Sequence, residues 1–374
     1  MLYENFHNGL NLGGWLSQYE FVDSQPLTDE YLMQHFNSFI TEKDLCQIAS
    51  WGFDHVRVPV SGYLIYDPDH DVLDAKTVHL LRLCIAWCEK HHLNMILDLH
   101  DLWGNEYGAM QKAMPLLTDP ALKQRFLRIW ELLTIEFKDV QHPILMFELL
   151  NEVSDASGAY PSDDITGKNY DFSNNSRFLW NQLVSETIHK IRSIDSSRWI
   201  LVGSNGQNSV VYLKELQIFD DPLVFYNFHY YDPQVFTHQR AHFSDELREF
   251  GQTITYPGDI SSFIDFLKFH PEYYTKHALV AKEATNDLVL MKRLLQYATY
   301  FIQKTGKELY CGEFGVIDTA PVADAAKWLK DFISLMEKYR IGHAQWNYKC
   351  LDFGLLDHNG NPVSELYREV IKKA

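Results

Sequence analysis

Short apolar runs alternate with amphipathic segments along the whole chain, and this alternation limits the folds open to it. Runs at 10–16, 55–60, 93–101, 144–150, 199–204, 223–228, 309–312 and 343–348 read as strands. Between them lie stretches with apolar residues at helical spacing, among them 41–49, 80–91, 121–140, 178–194, 288–304 and 326–339. The first of these carries a start signal, with Thr41 as cap and Asp44 in the capping-box place. Strands that alternate with helices in this number predict an α/β fold, a parallel (β/α)8 TIM barrel. With insertions such a barrel reaches 374 residues as one unit, so a single domain over 1–374 is expected. Two stretches break the rhythm. Residues 154–176 are rich in Ser, Asp, Gly and Asn and read as a long surface loop. Residues 234–287, after strand six, read as an inserted subdomain on the face of the strand ends, with helical spacing at 260–269.

In such a barrel the chemistry gathers at the carboxyl ends of the strands. The run 144–150 ends in Asn151 and Glu152, and the run 309–312 ends in Glu313. Two glutamates delivered by separate strand ends are what glycosidic bond cleavage needs: one protonates the leaving oxygen, the other attacks or stabilises the sugar cation. Arg57 alternates with Val56 and Val58, so it points into the barrel, where a buried guanidinium needs a carboxylate. A catalytic glutamate is its expected partner. His100, His229, Tyr231 and Trp346 also fall at strand ends. Buried charges without a task are costly, so the set argues for a catalytic site rather than for packing.

The chain carries 33 Lys and Arg against 50 Asp and Glu, a formal net charge of −17, which repels phosphate backbones and anionic lipid surfaces. Neither nucleic acid nor a membrane is an expected partner. The first residues lack a basic segment followed by an apolar one, and no apolar run is long enough to cross a bilayer; a cytoplasmic location is expected. The odd set Cys46, Cys84, Cys88, Cys311 and Cys350 fits reduced thiols. Cys84 and Cys88 have no partner pair and the histidines lie on separate strand ends, so neither a metal nor another cofactor is expected.

The motifs Asn11-Leu12-Gly13-Gly14-Trp15, His55-Val56-Arg57-Val58-Pro59, Leu149-Leu150-Asn151-Glu152, Asn227-Phe228-His229-Tyr230-Tyr231, Tyr310-Cys311-Gly312-Glu313-Phe314-Gly315 and Trp346-Asn347-Tyr348-Lys349 together resemble glycoside hydrolase family 5. Phe39-Ile40-Thr41-Glu42-Lys43-Asp44, Phe236-Thr237-His238-Gln239 and Tyr256-Pro257-Gly258 extend the resemblance across nearly the whole chain. It implies a retaining hydrolase of β-glucans with β-1,4 or mixed β-1,3/1,4 linkages, endo-acting on soluble or short chains and working as a monomer. It makes Glu152 the general acid and base and Glu313 the nucleophile. Asn151 would bind the sugar 2-hydroxyl, and Arg57 and Tyr231 would hold Glu313 ionised and aimed. His229 would help set the protonation of Glu152, His100 would contact a sugar hydroxyl, and Trp346 would be the stacking floor. A retaining pair should stand roughly 5–5.5 Å apart. The segment His100-Asp101-Leu102-Trp103-Gly104 departs from the family's His-His-Ala-Pro-Gly type. The 154–176 loop looks longer than in relatives, and folded over the cleft it would favour short oligosaccharides or exo-type release.

Other readings use the same machinery: an exo-acting β-glucosidase or β-1,3-glucanase, or a β-mannanase. A non-catalytic carbohydrate-binding protein would keep the aromatics and lose a glutamate, whereas both glutamates are present here.

Overall fold

The computed structural model describes residues 1–23, 25–105, 114–141, 144–154, 178–277, 280, 282 and 284–372. The long loop expected at 154–176 thus falls, after Ser154, outside the described residues.

Eight strands form a closed barrel: β1 (Asn8–Asn11), β2 (His55–Ser61), β3 (Asn94–Asp101), β4 (Leu145–Glu148), β5 (Trp199–Gly203), β6 (Val224–Tyr230), β7 (Leu309–Phe314) and β8 (Gly342–Gln345). Each pairs in parallel with its sequence neighbours, and β8 returns to β1. Helices such as Ala75–Lys90, Pro120–Glu136, Leu179–Ile194 and Val322–Tyr339 connect the strands, as the helical spacing predicts. Helix Glu42–Ser50 starts with the expected capping box between Thr41 and Asp44. Among the described residues no helix is long and apolar enough to cross a membrane.

Two expectations need correction. The first strand is Asn8–Asn11, not the run 10–16, because Gly14 takes a left-handed φ of 84° and turns the chain away. Gly13 lies so close to Trp346 that a Cβ there would come 2.6 Å from its ring. The single helix expected at 288–304 is two, Leu288–Leu294 and Gln296–Thr305, which meet at Leu295.

Side chains alternate along a strand, so every second residue points into the barrel. Ile96, Met146, Leu201, Phe225, Tyr310 and Ala344 form an apolar cluster closed below by Leu2 and Phe6. Two positions further along β3, β4 and β6 come Asp98, Glu148 and Asn227, on the same faces and nearer the carboxyl ends. The interior therefore changes from apolar to charged within one step of the pleat, and the charged step lies directly beneath the strand ends. A larger apolar core, which includes Val56, Leu97, Phe147, Trp130 and Trp328, packs the outward faces of the strands against the helices.

Between β6 and β7 the chain makes short helices at Gln234–Thr237, Asp245–Phe250, Ser261–Phe269 and Pro271–His277, with Gly258–Asp259 paired to Thr285–Asn286. The helical spacing at 260–269 is thus realised as Ser261–Phe269. This insert is fastened to the barrel: Ile317 N–H donates to the Thr237 carbonyl at 2.9 Å, and the Tyr256 hydroxyl donates to Asp331 at 2.8 Å.

At the barrel floor the Tyr310 hydroxyl lies 2.6 Å from His55 Nε2. Losing a buried partner of this kind costs about 1–3 kcal/mol. Tyr310→Phe is expected to lower the urea midpoint of unfolding; a midpoint equal to that of the wild type would show that the floor does not depend on this bond.

Candidate active site

Arg57 is fully buried on β2 and reaches across the charged layer. Its Nε donates to Glu148 Oε2 at 2.7 Å and its Nη2 to Glu148 Oε1 at 3.0 Å, a two-pronged pairing. Nη2 also lies 3.0 Å from Asp98 Oδ2 and donates to Asn151 Oδ1 at 2.8 Å. Nη1 donates to Asn11 Oδ1 at 2.9 Å and to Glu313 Oε1 at 2.8 Å. The expected partnership with a glutamate of the strand ends is present, but Glu148 and Asp98, which the sequence reading passed over, hold most of the guanidinium. Both sit inside runs that read as apolar. The signal that finds them is their period of two with Ile96 and Met146, on the faces that also carry the interior cluster.

Burial works against the charge of Arg57, yet Asp98, Glu148 and Glu313 outweigh it and raise its pKa. Burial likewise pushes Asp98 up to about 7 against the pull of Arg57, and it raises Glu148.

Glu313 ends up with a donor on each oxygen, Arg57 on Oε1 and the Tyr231 hydroxyl on Oε2 at 3.0 Å. Glu152, just past β4, has a left-handed φ of 46°, a conformation that costs energy for a residue with a side chain and is commonly kept at functional sites. Its Oε1 lies 2.9 Å from His229 Nδ1, which in turn is 3.7 Å from Glu313 Oε2. One oxygen of Glu152 and one of Glu313 lie within 4.8 Å of each other. An oxygen–oxygen approach this close fits the roughly 5–5.5 Å between the carboxyl groups of a retaining pair better than the roughly 6.5–9.5 Å that leaves room for a water between them.

Asn151 is buried, with its carbonyl oxygen held by Arg57, which leaves the amide nitrogen to donate to a ligand. His100 is buried at the end of β3, with Nδ1 2.5 Å from Asp98 Oδ2 and its ring parallel to that of Trp346 at 5.6 Å. Burial lowers the pKa of His100 to about 3 and that of His229 to about 4, so both rings are neutral at ordinary pH. Trp346 follows β8, packed against Gly13. The structure therefore brings together Arg57, His100, Asn151, Glu152, His229, Tyr231, Glu313 and Trp346 at one end of the barrel.

Among the described residues, Glu152, His229 and Glu313 bring one possible metal-ligating atom each within 4.8 Å of the others. The guanidinium of Arg57, 2.8 Å from Glu313, already places a fixed cation against this cluster and opposes a second one.

A closed barrel with two carboxyl groups close together at its carboxyl end has the parts that a glycoside hydrolase needs. The chain belongs to glycoside hydrolase family 5: residues 22–350 match the sequence model of the family described as Cellulase (glycosyl hydrolase family 5). It is 38% identical over 367 residues to endoglucanase C of Acetivibrio thermocellus, with 96% of each chain covered. It is 28% identical over 334 residues to cellodextrinase A of Ruminococcus flavefaciens, with 89% of this chain and 82% of that one covered. Endoglucanase Cel5A of Thermotoga maritima shares the fold with a TM-score of 0.69 at 21% identity, with 99% of each chain covered.

The pKa of Asp98 has a consequence for stability. A carboxyl that keeps its proton up to about pH 7 when folded, and loses it near its ordinary value when unfolded, makes folding take up a proton between the two. Its contribution to stability therefore falls as pH rises from about 4 to about 7. His100 and His229, neutral when folded and protonated when unfolded, act in the opposite direction below their ordinary value of 6.5. Asp98→Asn removes the first contribution. Its stability should improve steadily relative to the wild type across pH 4 to 7, read by urea unfolding at each pH; a constant difference would contradict the assignment.

Proposed function

We propose that the chain is a retaining endo-β-glucanase whose residues 1–374 work as one catalytic domain, with Glu152 as general acid and base and Glu313 as nucleophile. The observation that carries this reading is the approach of the two carboxyl groups to within 4.8 Å, with donors on both oxygens of Glu313. In the first step Glu313 attacks the anomeric carbon while Glu152 gives its proton to the leaving glycosidic oxygen. In the second, Glu152 takes a proton from a water that displaces Glu313 from the sugar. Asn151, fixed by Arg57, donates its amide hydrogen to the sugar 2-hydroxyl, a bond that strengthens as the ring becomes cation-like. Trp346, parallel to His100, supplies the ring beneath the sugar. Preference for β-glucan follows the relative named endoglucanase C, which is similar over almost its whole length.

A second reading, release of short units from soluble oligosaccharides, is favoured by the similarity to a protein named cellodextrinase A. A time course on barley mixed-linkage glucan and cellopentaose separates the two. A fast drop in viscosity with a spread of products is expected, and viscosity that holds while glucose or disaccharide accumulates would select the second reading. Glu313→Gln should reduce turnover at least about a thousandfold. A mutant that retained turnover would remove Glu313 from the mechanism.

A further inference from the structure

We propose that Asn208 is a positioning residue that keeps the proton of His229 on Nδ1 and thereby holds the acid proton of Glu152 on Oε2. The inference rests on the assignment of Glu152 as the general acid and base. Asn208 closes the turn Asn205–Asn208, in which Gly206, Gln207 and Asn208 have left-handed φ values of 59°, 59° and 55°. Asparagine tolerates this region better than most residues, but successive left-handed residues persist only where surroundings enforce them. Here they do. Ser209 pairs with His229 in a parallel bridge, and Gln207 N–H donates to the carbonyl of Val153, the residue after Glu152, at 2.9 Å. The Ser204 hydroxyl closes the turn on the Ser209 carbonyl at 2.9 Å. The turn is thus pinned on one side to the histidine and on the other to the chain that carries the acid.

The Asn208 side chain is fully buried over Gly203, where a Cβ would come 2.9 Å from its Cγ and Nδ2. Nδ2 lies 3.1 Å from His229 Nε2, while His229 Nδ1 faces Glu152 Oε1 at 2.9 Å and Glu313 Oε2 at 3.7 Å. A neutral imidazole has one N–H. With acceptors at Nδ1 and an amide donor at Nε2, the proton belongs on Nδ1 and the Asn208 amide donates to Nε2. As placed, Asn208 Oδ1 is buried without a hydrogen-bond partner among the described residues; turning the amide over would pair it with an Nε2–H, but would leave either a lone pair of Nδ1 facing the Glu313 carboxylate and ionised Glu152 or a buried imidazolium. Because Nδ1–H donates to Oε1, the protonated form of Glu152 carries its hydrogen on Oε2. In the first step that O–H bond breaks and its proton goes to the glycosidic oxygen as the sugar–oxygen bond breaks. In the second, water gives its proton to Oε2. His229 and Asn208 exchange no proton in either step.

The test begins with nitrogen NMR of the ¹⁵N-histidine-labelled wild type, which needs no variant. His229 should show a protonated Nδ1 and an unprotonated Nε2, and the reverse pattern would overturn the proposal. Asn208→Asp, nearly the same shape and at ease in a left-handed turn, replaces the donor with an acceptor and should move the proton to Nε2 or charge the ring. Kinetics gives an independent reading, because a sugar leaving group needs the acid and a dinitrophenolate hardly does. The loss in kcat/KM for Asn208→Asp should be about tenfold larger on cellotetraose than on the dinitrophenyl cellobioside. Equal losses would reduce Asn208 to a structural residue and overturn the proposal. A wild type inactive on both substrates would instead sink the assignment of function, whatever the tautomer.

Discussion

One guanidinium organises the barrel interior. Every N–H of Arg57 meets an oxygen from Asn11, Glu148, Asn151 or Glu313, with Asp98 within 3.0 Å as well. These partners come from β1, β3, β4 and β7 or the residues that follow them, so a single side chain fixes the relative positions of strands on opposite sides of the barrel. Such a cluster is stable only when complete, since a buried carboxylate that loses its cation is left uncompensated.

The two carboxyl groups of the site live in different surroundings. Glu313 is nearly buried and held by donors on both oxygens, an arrangement for a group that must stay aimed. Glu152 is more exposed, sits on a strained backbone and has the imidazole of His229 on one oxygen. That contrast matches a division of labour between a fixed group and one that gains and loses a proton. The buried, neutral His229 lies between them, close enough to both to sense either one.

Much of this was legible in the sequence. The alternation of apolar runs and helical spacing is imposed by the barrel itself, so the placement of Asn151, Glu152, His229, Tyr231, Glu313 and Trp346 followed from the strand ends, and that of Arg57 from its alternation with Val56 and Val58 within β2. What escaped did so for physical reasons. Glu148 and Asp98 stand among residues buried on both faces, where a lone acid reads as an interruption unless the pleat is followed residue by residue. The start of β1 was displaced because Gly13 and Gly14 look like the end of a strand but serve the approach of Trp346 and a left-handed turn. Asn208 has no periodic signature: a run of left-handed residues delivers it, and no apolar pattern marks such a turn.

The central claim is that Glu152 and Glu313 stand close enough to act in two successive displacements at the same carbon. Proton NMR of the first minutes of cellotetraose hydrolysis tests this most directly, because it reports the configuration of the newly formed reducing end before mutarotation. The account predicts that the β-anomer forms first and the α-anomer appears only as solution equilibrium is reached. If the α-anomer forms first, a single displacement by water takes place, and the close pairing of the two glutamates does not describe the working enzyme.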